Sequence, residues 1–204
     1  VVLLTPRQLY PDVRPTADDS RDVARIKGSD RMARVVARAV AARVRIPHKG
    51  LTLATHTGMR IRLSSEEIEQ ASKGISRSRR FHDGRDPFLR RVLQQAARNV
   101  AQDTGHDPED REYCDDLIAS MVEDSTVRRE FNLMWLPTTA ERIIGHLLTD
   151  ASILDEAATG ILTADERAAL LRPPDAPWTS DDLPLLDEAA DALGPWEPPP
   201  TAPP

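Results

Sequence analysis

The 204-residue sequence predicts a mainly α fold, a bundle-like array of many helices with one small β-hairpin and one edge of an α/β domain. Three observations lead to this prediction. Apolar residues recur at helical spacing through most of the chain, and one stretch near residue 55 changes to a spacing of two. Residues 1–4 form a short apolar run that is typical of a buried strand and that ends at Pro6.

The first helical region covers residues 23–44 and is rich in arginine. Its apolar positions share one helix face: Val23, Ile26, Met32, Val35, Val36, Ala39, Val40 and Val44. Gly28 and Ser29 interrupt this pattern, so the pattern is compatible either with one long helix or with two shorter helices. In either case the sequence predicts an amphipathic element that packs against a core.

Residues 51–63 predict the hairpin. Apolar residues alternate with polar ones on both sides of the turn-prone residues 56–58. Successive side chains of a strand point to opposite faces, so we expect Arg60 and Arg62 to lie away from the apolar set. The apolar set is Leu51, Leu53, Met59, Ile61 and Leu63.

The sequence of residues 64–194 predicts helices, several of which have recognisable N-terminal capping signals. Three pairs have capping-box spacing: Ser64 with Glu67, Thr138 with Glu141, and Thr163 with Glu166. Two Asp-Pro pairs, Asp86–Pro87 and Asp107–Pro108, are typical of helix starts because proline lacks a donor that the first helical position does not need. Residues 88–100 form a clear amphipathic stripe, and residues 107–194 predict four or five short helices.

Residues 183–194, LPLLDEAADALG, have two interpretations. The apolar run before Asp187 and Glu188 is similar to the metal-binding strand of a nucleoside triphosphatase. However, the chain contains no Gly-x-x-x-x-Gly-Lys-Ser/Thr loop to hold phosphates, and leucines at helical spacing precede a stop at Gly194. A capped helix is therefore the favoured interpretation.

Composition limits the class of protein. The longest apolar runs are far shorter than the roughly 18 residues of a membrane helix, so we expect no membrane partner, and the single cysteine fits a reducing cytoplasm. Residues 1–100 contain 21 basic and 10 acidic residues, whereas residues 101–204 contain 6 and 23. The two halves therefore suit partners of opposite charge. The start without methionine and the Pro-rich end suggest a piece of a longer protein.

No catalytic, cofactor-binding or metal-binding residue is predicted. The five histidines lack paired ligand spacing, and no nucleophile elbow or Cys-His signature is present. Cys114 lies among apolar residues at helical spacing, which is typical of a core position. An independent small enzyme would need turnover by this chain, and we expect none.

The densest basic run is RSRRFHDGRDPFLRR, residues 77–91. Its arginines could grip a nucleic-acid backbone or an acidic protein surface, because guanidinium groups match phosphates and carboxylates. The alternative is an ordinary solvated loop and helix face. The candidate contact residues are Arg77, Arg79, Arg80, Arg85, Arg90 and Arg91.

An acidic, Trp-bearing loop lies in the second half of the chain. Its candidate partner-binding residues are Asp165, Asp175, Trp178, Asp181 and Asp182. Such a loop could imitate nucleic-acid charge or offer carboxylates to a metal held elsewhere. The alternative is structural, with the tryptophan as a hydrophobic staple and the carboxylates at helix N-termini.

Three segments together resemble the actinobacterial HelD-type proteins, which are relatives of the UvrD/PcrA superfamily-one helicases and bind RNA polymerase. They are VVLLTPRQLYP (1–11), KGSDRMARVVARAV (27–40), and ILTADERAALLR with WTSDDLPLLDEAADALG (161–194). The resemblance implies a piece between the phosphate-binding loop and the metal-binding strand of the motor. Residues 1–47 would belong to motor domain 1A, and residues 48–182 to a helical insertion with the hairpin at 51–63 and helices over 64–182. Residues 183–194 would return to the motor, and residues 195–204 would form a Pro-rich linker.

The resemblance also implies a function. The whole protein would use ATP and Mg²⁺ to release RNA polymerase core from nucleic acid in the cytoplasm, and this piece would hold no cofactor. It would act as the module that enters the polymerase channel and opens the clamp, with the acidic loop as the inserted element. Its negative charge fits a positively lined channel. The alternative is a basic DNA- or RNA-binding region of a UvrD-like helicase.

Overall fold

The computed structural model describes residues 13–75 and 80–196 and confirms a mainly α fold with one β-hairpin. The helices are α1 (Arg21–Lys27), α2 (Arg31–Ala41), α3 (Ser65–Ser72), α4 (Phe81–Asp103), α5 (Arg111–Glu123), α6 (Ser125–Met134), α7 (Ala140–Thr149), α8 (Ala151–Ala158), α9 (Ala164–Leu170) and α10 (Leu183–Leu193). The strands are β1 (Leu51–Ala54) and β2 (Arg60–Leu63), and a short 3-10 helix covers Ser180–Asp182. The predicted strand at residues 1–4 and the end of the Pro-rich linker lie outside the described residues.

The chain divides into two compact units. The first unit contains Val1–Ala42 and Thr138–Pro204, and the second contains Arg43–Pro137. The helices between residues 138 and 182 therefore belong to the same unit as α1, α2 and α10. The family resemblance implies boundaries at residues 47 and 182 between the motor domain and the insertion. Compact units do not test such boundaries, so they stay a prediction.

Helix α2 is the centre of the first unit. It packs against α7, α8 and α10, while α9 packs against α1 and α8. Val35 and Val36 on α2 are completely buried, as are Leu147 on α7 and Leu186 on α10. The structure separates α1 from α2 at Gly28, so the interrupted apolar pattern marks two helices rather than one.

Helix α4 organises the second unit. The hairpin is antiparallel, with Leu51 opposite Leu63 and Leu53 opposite Ile61, and β2 packs on α4. Ile61 and Leu63 are buried whereas the arginines of β2 are exposed, which confirms the predicted two-faced strand. Helix α4 also packs against α3 and α5, and α5 packs against α6.

The core of the second unit is an aromatic cluster around Trp135. This fully buried side chain packs against Phe81 and Phe88, with ring centroids 5.2 and 5.1 Å away. Its Nε1 donates a hydrogen bond of 3.1 Å to the carbonyl of Phe81. Gly84 allows this approach, because a Cβ there would lie 2.8 Å from Ile75 and 3.0 Å from the Trp135 ring.

Several predicted helix starts need correction. Helix α4 begins at Phe81 rather than after Asp86, and it contains Pro87, because packing on Trp135 continues the helix toward its N-terminus. Helix α5 is capped by Asp110 rather than Asp107, and α7 by Thr139 rather than Thr138. The capping boxes of α3 and α9 are confirmed. Residues 107–194 form six α-helices instead of four or five.

Residues 183–194 form the predicted helix, α10. Asp187 and Glu188 are exposed on it, whereas Leu185, Leu186 and Ala189 are buried. The segment therefore resembles a metal-binding strand in its amino-acid sequence but not in its structure, because it is helical. Among the residues that the structure describes, no helix has the length and apolar content needed to cross a membrane.

Candidate partner-binding loop

The acidic loop predicted from the sequence connects α9 to α10 in the first unit, and we call residues 172–182 the Trp loop. Its backbone is tied to the segment before α1, because the amide of Thr16 donates to the carbonyl of Trp178 at 3.0 Å. Ala17 and Thr179 form an isolated parallel bridge beside this bond. A turn closed by the Ala176 amide on the Pro173 carbonyl shapes the outer part. The loop thus has a defined path.

A buried group of charges holds the base of the Trp loop, and we call it the Lys27 network: Asp19, Lys27, Arg172, Thr179 and Asp182. The Lys27 ammonium group lies 2.5 Å from Asp19 and 2.8 Å from Asp182. Arg172 donates from Nη1 to the second oxygen of Asp182 at 2.7 Å. The hydroxyl of Thr179 donates to Asp19 at 2.6 Å, and its amide donates to Asp182 at 2.9 Å.

The Lys27 network is charge-balanced, with two cations and two carboxylates, and its centre is buried. The side chains of Lys27 and Asp182 are 2% and 0% exposed. Burial alone raises the pKa of Asp182, but hydrogen bonds from Lys27, the Thr179 amide and Arg172 outweigh burial and lower that pKa overall. Asp182 is therefore a carboxylate, and loss of one partner would leave an unpaired charge inside the protein.

The structure divides the predicted contact residues of the Trp loop into two groups. Asp175 is exposed and Asp181 is half-buried, so both can meet a partner. Trp178 is also half-buried, with the Arg172 guanidinium 5.0 Å from its ring centroid, which is cation–π geometry. Asp182, by contrast, is fully buried in the Lys27 network and cannot touch a partner in this conformation.

Asp165 lies in the first turn of α9 and is exposed. The next residue, Glu166, closes the capping box and also binds Arg31 through two hydrogen bonds of 2.6 and 3.0 Å. The Arg31 guanidinium is the main reason that the pKa of Glu166 falls to about 2. Glu166 therefore ties α9 to α2, and Asp165 remains available beside it.

The predicted arginine set is only partly available for contact. Arg77 and Arg79 lie outside the described residues. Arg85 donates from Nε to the carbonyl of Trp135 at 3.2 Å and also binds Asn132, so its guanidinium group makes hydrogen bonds within the second unit. Arg91 donates to two carbonyls at the end of α3. Arg80, the N-cap residue of α4, and Arg90 are exposed.

The residues that the sequence analysis did not single out are the ones that hold the Trp loop. Asp19, Lys27 and Arg172 were not candidates, although they surround Asp182. One local signal existed, because Lys27 follows the buried Ile26 at the end of α1 and precedes the helix stop at Gly28. The separation of 155 residues between Lys27 and Asp182 gives no local pattern to detect.

Within residues 13–75 and 80–196, no three His, Cys, Asp or Glu side chains converge as metal ligands do. The carboxylates of the Lys27 network are already paired with Lys27 and Arg172. No catalytic step is assigned to these residues.

No protein-family model matches the chain, and no curated protein matches it significantly.

Proposed function

We propose that this chain is the polymerase-contacting part of a HelD-like protein, a relative of the UvrD/PcrA helicases that binds RNA polymerase core and helps release it from nucleic acid. In this proposal the Trp loop enters a positively lined channel of the polymerase. ATP and Mg²⁺ act elsewhere in the whole protein, in the cytoplasm. The chain itself is expected to bind and not to catalyse.

One observation carries the proposal: the exposed carboxylate of Asp175 and the half-buried one of Asp181 stand on a loop whose base is anchored by buried ion pairs. An anchored loop loses little conformational freedom when it binds, so more of its contact energy remains as affinity. Unpaired carboxylates on the loop favour a basic surface and repel nucleic acid. This combination suits insertion into a protein channel that otherwise holds phosphates.

The test measures binding of the 204-residue chain to immobilised RNA polymerase core. We expect the double variant Asp175→Asn/Asp181→Asn to weaken binding at least about tenfold, because it removes two charges that face the basic surface. The matched control is Asp187→Asn/Glu188→Gln, which removes two exposed carboxylates from α10 and should bind like the unaltered chain. Equal binding by both variants, or no binding by the unaltered chain, overturns the proposal.

A second candidate function, direct DNA or RNA binding, rests on exposed Arg80 and Arg90 on α4. It requires binding of labelled DNA or RNA that falls steeply between 50 and 200 mM salt, because each neutralised phosphate releases counterions. Arg80→Ala/Arg90→Ala would then weaken nucleic-acid binding and leave polymerase binding intact. The absence of nucleic-acid binding at 50 mM salt removes this candidate.

A further inference from the structure

The inference concerns the outer edge of strand β1 in the second unit and does not depend on the proposed polymerase role. Within the described residues, β1 pairs only with β2, in a sheet of two strands. The edge of a sheet presents backbone amides and carbonyls that can bind a further strand. An edge is available for this when those groups have no partner and are exposed.

The turn of the hairpin decides which backbone groups of β1 face outward. The amide of Thr55 donates to the carbonyl of Met59 at 2.9 Å, so these two residues are a hydrogen-bonded pair. Hydrogen-bonded and non-hydrogen-bonded pairs alternate along an antiparallel ladder. Leu53 therefore bonds to β2, whereas the amides and carbonyls of Thr52 and Ala54 point away from β2.

The two amides that flank this outward-facing stretch are bound within the chain. Gly50 donates its amide to a carbonyl three residues earlier at 2.9 Å, and His56 donates its amide to the carboxylate of Asp124 at 2.9 Å. Thr52 and Ala54 lie between them and are exposed. No group of the described residues bonds to their outward amides and carbonyls. The open edge thus has a defined position and length.

The outer edge of β2 differs because α4 covers it. The carbonyl of Arg62 accepts a hydrogen bond of 2.9 Å from the side chain of Asn99 on α4. Strand β1 is short, but its sequence, Leu-Thr-Leu-Ala, contains no charged residue and no proline. Such residues are the common means by which edge strands prevent the addition of another strand. The edge of β1 is therefore the available one.

One face of β1 indicates that apolar side chains belong on the added strand. Ile61 and Leu63 of β2 are buried on this face, whereas Leu53 and Leu51, which lie opposite them on β1, are only half-buried. Apolar side chains of a further strand would cover these two leucines, because neighbouring strands of a sheet pack side chain against side chain on each face.

The other face indicates an acidic side chain. Arg60 is exposed, lies opposite Ala54, and forms no ion pair with a carboxylate of the described residues. Arg62, on the same face, already binds Asp103 at 3.0 Å. An added strand would lie about 10 Å from β2, which an arginine and a glutamate side chain can span together across the short Ala54. A carboxylate there is favoured over a cation.

We propose that the outer edge of β1, at Thr52 and Ala54, binds an extended segment of a protein partner in which apolar and acidic residues alternate. In antiparallel pairing, the partner residues opposite Thr52 and Ala54 exchange backbone hydrogen bonds with β1. Their acidic side chains share the face of Arg60, and the apolar side chains between them cover Leu51 and Leu53. In strand addition of this kind, backbone bonds supply affinity and alternate side chains supply specificity.

The test uses the 204-residue chain and fluorescein-labelled peptides in which valine and glutamate alternate, with binding measured by fluorescence anisotropy at 150 mM salt. One peptide is N-methylated at its glutamates, whose amides would bond to β1. Its matched control is N-methylated at its valines, whose amides would face away. We expect the control to bind at least about tenfold more tightly than the glutamate-methylated peptide, because it keeps the bonds to β1. Equal binding of the two, or no binding of the unmethylated peptide, overturns the proposal.

Variants of the chain locate the binding. Ala54→Pro removes an outward amide but no bond to β2, so binding of the unmethylated peptide should fall at least about tenfold while circular dichroism stays unchanged. Ala54→Ser keeps the amide and should bind within about twofold. Unchanged binding by Ala54→Pro contradicts the assignment to β1. If Ala54→Pro does not fold, the two methylated peptides decide.

The role of Arg60 is tested with a peptide that has lysine in place of glutamate. Arg60→Gln should reduce the preference for the glutamate peptide about threefold, a small effect because the ion pair is exposed. Arg90→Gln removes an exposed arginine from α4 and should leave the preference unchanged. Equal effects of the two variants contradict the predicted acidic position.

A second copy of the chain is the other possible occupant of this edge. We expect sedimentation equilibrium to show a monomer, because β1 contains no carboxylate that could pair with Arg60 of another copy. A dimer that Ala54→Pro dissociates would show that β1 binds a second copy, and it would overturn the proposal of a peptide partner.

Discussion

The two units of this protein have cores of different kinds. At the base of the Trp loop, the first unit pairs the buried Lys27 and the half-buried Arg172 with carboxylates, and the buried Asp182 lies at the centre. The second unit buries an aromatic cluster in which Trp135 fills the space left by Gly84. The difference teaches that the stability of the first core depends on the pairing of charges, whereas the stability of the second depends on the complementary shapes of its side chains.

The largest effect is expected from breaking the charge network. Lys27→Met should reduce the free energy of unfolding by about 3–5 kcal/mol, because it leaves the buried Asp182 and the half-buried Asp19 without their shared cation. Urea unfolding followed by circular dichroism measures the change. The control Arg25→Met removes an exposed cation from the same helix and should cost less than about 1 kcal/mol. Adding Asp182→Asn to Lys27→Met should recover part of the loss, and a further loss of similar size would contradict a network held by charge.

The next effect comes from filling the space beside Trp135. Gly84→Ala should destabilise the protein by about 1–3 kcal/mol, although alanine favours helices, because the added methyl group meets Ile75 and the indole ring. Gly145 on α7 provides the matched control, since a Cβ there meets nothing within 4 Å. Gly145→Ala should stabilise by about 0.5–1 kcal/mol. Thermal melting of both variants tests the contrast, which fails if the two glycines respond alike.

The smallest effect concerns acid stability of the first unit. The folded pKa of Glu166 is lowered to about 2, so its contribution is complete above its unfolded pKa of roughly 4.3 and is lost as the pH falls through the folded value. Glu166→Gln should therefore flatten the dependence of melting temperature on pH between about 4.3 and 2. Glu188→Gln, at an exposed position on α10, should keep the original slope. Identical slopes for the two variants would show that the Arg31 contact is unimportant.

Local sequence signals predicted local structure well. The capping boxes at Ser64 and Thr163 form as expected, because each involves groups only three residues apart. The hairpin has the expected two-faced β2, since alternation within four residues decides which side chains are buried. Predictions failed where distant packing competes with a local signal, as at Asp86–Pro87, where contact with Trp135 extends α4 through the proline.

The candidate site could be predicted only in part. The amino-acid sequence of the segment predicts an acidic loop, and Asp175 in this loop is exposed. The burial of Asp182 beside a half-buried Asp181 could not be predicted, because helix and loop patterns contain no information about a cation 155 residues away. The same limit applies to Arg85 and Arg91. Their charges suggested a contact surface, but their guanidinium groups bind carbonyl groups of the second unit.

The sequence by itself determined the helical class, the position of the hairpin, the loop of carboxylates before α10 and the unequal charge of the two halves. These follow from periodicity, capping and composition, which act over a few residues or over whole segments. Only the tertiary structure decided which charged and apolar side chains are buried. Burial depends on residues brought together from distant parts of the chain, and the free energy of a charge depends on the partners it finds there.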